Sequence, residues 1–137
     1  MRLQDKVVIV TGAARNIGRV YAVGLAREGA KVVAADILDC ADPVKEIESG
    51  GGEGLALSVD VSDEEAARRM AEAARERFGR IDGLVNNAAI FHDLVLKPFY
   101  EITGEEWDRL MAVNLKGLFF CSKAVFPYMK EQGYGRI

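Results

Sequence analysis

The 137-residue chain has a mass of 15.0 kDa, is half apolar and 28% charged, and contains 14 glycines but only three prolines. That composition excludes a disordered tail, a collagen-like repeat and a disulfide-stapled mini-protein, and the length suits one domain. Its 18 basic and 21 acidic residues leave a net charge of −3, with no basic footprint for nucleic acid and no polybasic anchor for a membrane surface. Cys40 and Cys121 lie far apart with no C-x-x-C, so two reduced thiols in a cytoplasmic protein are expected rather than a metal site. Met1 to Lys6 carries a charge pair and is not a signal peptide, and no stretch reaches the ~18 uninterrupted apolar residues of a membrane span.

Strand and helix patterns alternate along the chain. Val7-Val8-Ile9-Val10 is a continuous β-branched run, the mark of a strand buried on both faces, and Lys31 to Asp36, Gly54 to Val59 and Asp82 to Asn86 resemble it. After the first run, Ile17, Val20, Tyr21, Gly24 and Leu25 recur at helical spacing and Gly29 supplies a stop. Asp42-Pro43 reads as an N-cap followed by proline at the first helical position, and Gly50-Gly51-Gly52 ends that short helix. Ser62-Asp63-Glu64-Glu65 reads as a capping box opening a helix with Ala67, Met70, Ala74 and Phe78 on one face, up to Gly79. Its arginines read as a solvated face with i,i+4 pairs such as Glu64 with Arg68. Thr103-Gly104-Glu105-Glu106 is a second capping box, opening the longest helix, whose apolar side is Trp107, Leu110, Met111, Leu118, Cys121 and Val125. Pro127 should kink or end it. There is no internal repeat, low-complexity segment or linker. The alternation implies a doubly wound parallel α/β sheet of Rossmann type, with right-handed crossovers.

The first strand runs into Thr11-Gly12-Ala13-Ala14-Arg15-Asn16-Ile17-Gly18. A glycine-rich turn between strand and helix brings backbone N–H groups and the helix dipole up to a phosphate. Gly12 suits the tight turn and Gly18 a close packing of the helix on the sheet. The spacing is neither G-x-G-x-x-G nor G-x-x-x-x-G-K-[ST], which excludes P-loop nucleotide hydrolysis. Alone this turn is weak evidence, since many such turns need glycine for geometry only. Asp36 strengthens it: it ends the second strand 24 residues after Gly12, near the ~20-residue offset at which an acid reaches a ribose 2′-hydroxyl. A carboxylate there repels a 2′-phosphate, so NAD is preferred and NADP disfavoured. Arg15 pulls weakly the other way, while Ile37 stands where a basic residue could have served a phosphate.

Thr11 to Gly18, Asp60-Val61 after the third strand, Asn86-Asn87-Ala88-Ala89 after the fourth and Asn114 inside the long helix resemble, in order, the motifs of the classical short-chain dehydrogenase/reductases, whose first motif is T-G-x-x-x-G-x-G and whose strand-four motif is N-N-A-G. The resemblance runs from Leu3 to Ile137. It implies that Gly12, Asn16, Ile17 and Gly18 line the cofactor pyrophosphate, with Arg15 also cofactor-binding, and that Asp36, followed by Ile37, holds the adenosine ribose. It further implies that Asp60 and Val61 flank the adenine and that Asn87, Ala88 and Ala89 run along the cofactor. Asn114 would be the catalytic asparagine that helps organise a proton-relay water.

Asn16 departs from the family by replacing the middle glycine, and asparagine tolerates left-handed backbone angles better than other residues with a Cβ. Ala89 replaces the glycine of N-N-A-G. The family's chemistry also needs a serine after the fifth strand and a Tyr-x-x-x-Lys; this sequence has no Tyr-x-x-x-Lys. Arg136-Ile137 reads as the opening of the fifth strand, so residues 1–137 read as an NAD(P)-binding Rossmann domain truncated there. The expected function is therefore an NAD-dependent oxidoreductase acting on an alcohol or carbonyl substrate. This chain would supply the cofactor-binding part, be inactive alone and be homo-oligomeric in complete form. The alternative is a non-catalytic dinucleotide-binding or interaction module that associates through its unpaired sheet edge. A methyltransferase, which also uses a strand-two acid, fits the Thr-Gly turn and Asn-Asn-Ala-Ala less well. His92 reads as a surface-loop histidine, and Trp107, Phe119, Phe120 and Phe126 as core or interface residues.

Overall fold

The four β-branched runs form one parallel sheet in the computed structural model, which describes residues 1–91 and 94–137. Its strands are β1 (Val7–Thr11), β2 (Lys31–Asp36), β3 (Gly54–Ser58) and β4 (Gly83–Val85), in the spatial order β3-β2-β1-β4. Val8 pairs with Val32 on one side of β1 and with Gly83 on the other. Each strand points alternate side chains to opposite faces, and both faces are covered. Ile9, Val33, Ala35 and Leu84 face one core, filled by Ala67, Met70, Ala74, Cys121 and Val125. Val8, Val10, Val32 and Ala34 face the other, filled by Ala22, Val23, Ala26 and Ile47. This two-sided burial is why β1 and β2 read as unbroken apolar runs.

The helices are α1 (Asn16–Arg27), α2 (Ala41–Ser49), α3 (Glu64–Phe78), α4 (Gly104–Met111) and α5 (Leu118–Glu131). A π-helical segment, Ala112–Gly117, joins α4 to α5, so the backbone is helical from Gly104 to Glu131. That 28-residue stretch is long and apolar enough to cross a bilayer by length and composition, but Cys121, Val125 and Met129 are buried in the core beside α3. The capping box at Thr103 forms as expected, with Glu106 returning to the Thr103 N–H at 2.7 Å. Arg136 bridges Gly83 in parallel, and its carbonyl accepts the Leu84 N–H at 3.0 Å, so a fifth strand opens beside β4.

Several local expectations shift. The inward face of α1 is Gly18, Ala22, Val23 and Ala26, whereas Ile17 and Val20 are 62% and 69% exposed. The helix lies too close to the sheet for large side chains, so small ones make the contact. The cap of α2 is Cys40 rather than Asp42; Asp39 accepts the Ala41 N–H, and Pro43 falls in the buried first turn. Asp63, not Ser62, caps α3 by accepting the Glu65 N–H, while the Ser62 hydroxyl donates to Asp60. Arg68 pairs with Glu65 and Glu72, and Glu64 instead reaches Lys123 of α5 at 2.7 Å. Pro127 sits inside α5 without ending it. Trp107 and Leu118 are about half exposed, so the front of the expected apolar stripe is only partly covered among the described residues.

Candidate functional site

The chain leaves β1 towards β2 and β3 on one side and returns to β4 on the other. The strand order therefore reverses between β1 and β4, and the crevice beyond their carboxyl ends is where open α/β sheets bind ligands. Two turns meet there. Gly12 takes φ +67°, a left-handed angle that only glycine adopts freely, and its backbone passes so near the β4 turn that an added Cβ would lie 2.8 Å from the Ala88 Cα. Gly18 has no room for a Cβ either, which would collide with the Gly12 carbonyl and the Asn87 side chain. The close approach that Gly18 permits is thus to the turn itself rather than to the sheet.

Thr11 locks the turns together. Its hydroxyl, 1% exposed with the residue, donates to the Val85 carbonyl at 3.3 Å and accepts the N–H groups of Asn87 and Ala88 at 3.0 and 3.1 Å. The Asn87 amide donates back to the carbonyls of Thr11 and Gly12 at 3.0 and 3.1 Å. The role of the Thr11 hydroxyl was not legible from spacing, although a threonine closing a buried strand is a signal that its hydroxyl needs a partner.

Asn16 opens α1 at φ +50°, so the departure from glycine is accommodated in the left-handed region. Arg15, Asn16 and Ile17 are exposed around the N-terminus of α1, where the first N–H groups of a helix lack intrahelical partners and the dipole is positive. Asp36, half-buried at the end of β2, accepts the Ala14 N–H at 3.0 Å and, through its other oxygen, the Leu38 N–H at 3.0 Å. Ile37 beside it is exposed. A cavity of about 280 Å³ lies between the ends of β2 and β3, lined by residues 37–40 and 56–58. Asp60 is exposed beyond β3 and accepts the Ser62 N–H and hydroxyl. The Val61 side chain instead packs in the core against Gly117, so what Val61 can offer a ligand is backbone. Ala89 is exposed beyond β4 and leaves room for its methyl.

Asn114 lies in the π-helical segment. Its side-chain oxygen accepts the Ile90 N–H at 2.8 Å and its amide donates to the Ile90 carbonyl at 3.1 Å. Both polar groups thus fasten the segment after β4 to the long helix. His92 falls outside the described residues. Burial pushes the Cys40 thiol up to about 11, helped by Asp36 and Asp39, and the Cys121 thiol likewise to about 11, so both stay protonated and inert near neutrality. A larger groove, about 410 Å³, lies on the outer face of α1 between Leu3, Val20, Tyr21 and Leu25, where Arg2 and Glu28 pair with each other.

A carboxylate at the end of β2, a helix N-terminus after a left-handed turn and a crevice at the sheet's reversal point suit a ribose and a pyrophosphate together. The fold is a Rossmann-type α/β unit. The family model for short chain dehydrogenase matches residues 6–137, and the chain belongs to that family. It is 41% identical to a 3-oxoacyl-[acyl-carrier-protein] reductase of Thermotoga maritima, matching 100% of this chain and 55% of that protein. It is 42% identical to a sorbitol dehydrogenase of Cereibacter sphaeroides over 98% of this chain and 51% of that protein. A carveol dehydrogenase of Mycobacterium avium solved in complex with NAD superposes with a TM-score of 0.92 at 29% identity, over 98% of this chain and 53% of its own. The chain thus spans about half the length of these relatives.

Proposed function

We propose that these 137 residues form one nucleotide-binding unit, the cofactor-binding part of an NAD-dependent oxidoreductase that moves a hydride between NAD and an alcohol or carbonyl compound. The observation that carries this reading is the Asp36 carboxylate held beside the glycine-rich turn. Gly12 and the backbone of Arg15, Asn16, Ile17 and Gly18 would hold the pyrophosphate, Asp36 the adenosine ribose, and Ile37 with the backbone of Asp60 and Val61 the adenine. Asn87, Ala88 and Ala89 would border the rest of the cofactor. A bound dinucleotide supplies the hydride transfer at its nicotinamide ring. Asn114, its side chain engaged by Ile90, acts by position; any contact with a relay water falls to its main chain.

Asp36 and the apolar Ile37 favour NAD, because a 2′-phosphate would meet a carboxylate within a few ångströms. Arg15 on the exposed turn would favour NADP. The free, buried thiols of Cys40 and Cys121 fit a reducing, cytoplasmic setting. Exposed Trp107, Leu118, Phe119 and Phe126 on the long helix fit a homo-oligomeric complete form.

Calorimetric titration of the chain with NAD and NADP at one salt concentration tests the reading. NAD should bind about tenfold or more tightly than NADP, equal to about 1.4 kcal/mol. Equal binding, or a preference for NADP, contradicts it. The same chain should show no NAD-dependent alcohol oxidation, since positioned acid/base groups contribute ~10²–10⁴-fold and it carries no Tyr-x-x-x-Lys.

A further inference from the structure

The glycine-rich turn is tied to the strand beside it as well as to the helix it opens, where the Arg19 N–H donates to the Arg15 carbonyl at 3.3 Å. Arg15, the cap of α1, is extended at φ −149° and ψ 175° and makes no side-chain capping bond. The residues around it are left-handed on both sides, Gly12 at φ +67° and Asn16 at φ +50°. A left-handed residue with a Cβ costs about 1 kcal/mol or more, so something must over-determine this conformation. What lies between these two residues is tied sideways, to the end of β2. The Ala13 N–H donates to the Ala35 carbonyl at 3.2 Å, and the Ala14 N–H to Asp36 Oδ2 at 3.0 Å. The Leu38 N–H on Asp36 Oδ1 fixes the carboxylate from its other side.

We propose that Asp36 is a positioning residue for the glycine-rich turn, holding Ala14 in place before any ligand arrives, in addition to facing the ribose. The proposal rests on reading this crevice as the dinucleotide site. Its consequence is that Asp36 cannot be exchanged to alter ribose preference alone: removing the carboxylate strips the acceptor from Ala14 and loosens the pyrophosphate cradle as well. An ionised carboxylate has acceptor sites on both oxygens beyond those used by Ala14 and Leu38, so both tasks are compatible.

Asp36→Ser and Asp36→Asn in the chain, without ligand, separate the two roles by amide hydrogen exchange and by titration with inorganic pyrophosphate, which has no ribose. Exchange at Ala14 should quicken about tenfold in Asp36→Ser, the loss expected for one charge-assisted hydrogen bond, while Val8, Val10 and Ala34 in the β1–β2 ladder stay protected. Asp36→Asn keeps the shape and one acceptor oxygen, so it should keep the ladder and still expose Ala14 or Leu38. Pyrophosphate should bind about tenfold more weakly to Asp36→Ser, although loss of a negative charge would by itself strengthen anion binding. Unchanged Ala14 exchange, with pyrophosphate bound equally or more tightly, overturns the proposal. If the unsubstituted chain binds neither pyrophosphate nor NAD, the dinucleotide reading fails, and the Ala14 exchange still decides whether Asp36 holds the turn.

Discussion

The two ends of the sheet are each pinned by a buried polar side chain that links β1 to β4, and they do different work. At the amino ends, Asp82 is 3% exposed and accepts the Val7 N–H at 2.9 Å and two Arg80 N–H groups at 2.7 and 2.6 Å, with the Lys6 ammonium 3.5 Å away. Gln132 closes the same end by donating to the Ile81 carbonyl, and the Tyr134 ring lies under the Lys6 and Arg136 cations. Asp82 itself is directed wholly to other groups of the chain. At the carboxyl ends, Thr11 and Asn87 knit the two turns together, but the N-terminus of α1 is exposed and Asp36 is only half-buried. A buried carboxylate with partly exposed cations around it stabilises the sheet. An interlocked but outward-facing set of turns is the surface to which the proposed function assigns the pyrophosphate.

The largest expected effect sharpens this contrast at the carboxyl end. Gly18→Ala forces a Cβ onto the Gly12 carbonyl, so thermal unfolding should reveal a loss of about 3 kcal/mol, with NAD affinity falling too. At the amino end, Asp82→Asn should cost about 2 kcal/mol, because the partly exposed Arg80 and Lys6 retain some hydration. NAD affinity should be unchanged there, and a parallel loss of affinity would break the division between the two ends. Burial alone would raise the Asp82 carboxyl, but the Arg80 bonds, the Val7 N–H and Lys6 outweigh it and hold the carboxyl below its usual value. A depressed folded-state value gives stability that is present above the unfolded value, about 3.9, and is lost as pH falls through the folded one. The melting temperature of the unsubstituted chain should therefore fall more steeply below about pH 4 than that of Asp82→Asn.

Thr11→Val leaves the N–H groups of Asn87 and Ala88 without their acceptor and should cost about 1–2 kcal/mol by chemical denaturation. The smallest effect has the opposite sign. Gly24 in α1 has nothing within 4 Å of where an added methyl would sit, so Gly24→Ala should raise stability by about 0.5–1 kcal/mol.

The placement of residues at the carboxyl end of the sheet was largely legible because its signals are local. Glycine at a left-handed turn, an acid at a strand end and paired asparagines announce themselves by residue type and spacing, and Gly12, Asp36 and Asn87 stand where that reasoning put them. The amino end was not legible, because Asp82 meets Val7 across 75 residues of sequence and only the register of β1 with β4 brings them together. Helix faces failed for a related reason. Apolar spacing on α1 pointed to Ile17, Val20 and Tyr21, whereas the close approach to the glycine turn selects Gly18 and packing on the sheet selects Ala22 and Ala26. Periodicity reports which side chains could be buried; the distance between elements decides which ones fit. The same limit applies to Trp107, whose burial depends on what packs against α4.

The most direct test of the central claim, that the crevice between β1 and β4 is a dinucleotide site, is amide chemical-shift mapping during titration with NAD. The account predicts perturbations concentrated at residues 12–18, 36–38, 60–61 and 87–90, with Lys6, Val7, Arg80 and Asp82 unmoved. Perturbations centred on the groove of Leu3, Val20 and Leu25, or on the Asp82 end of the sheet, would contradict it.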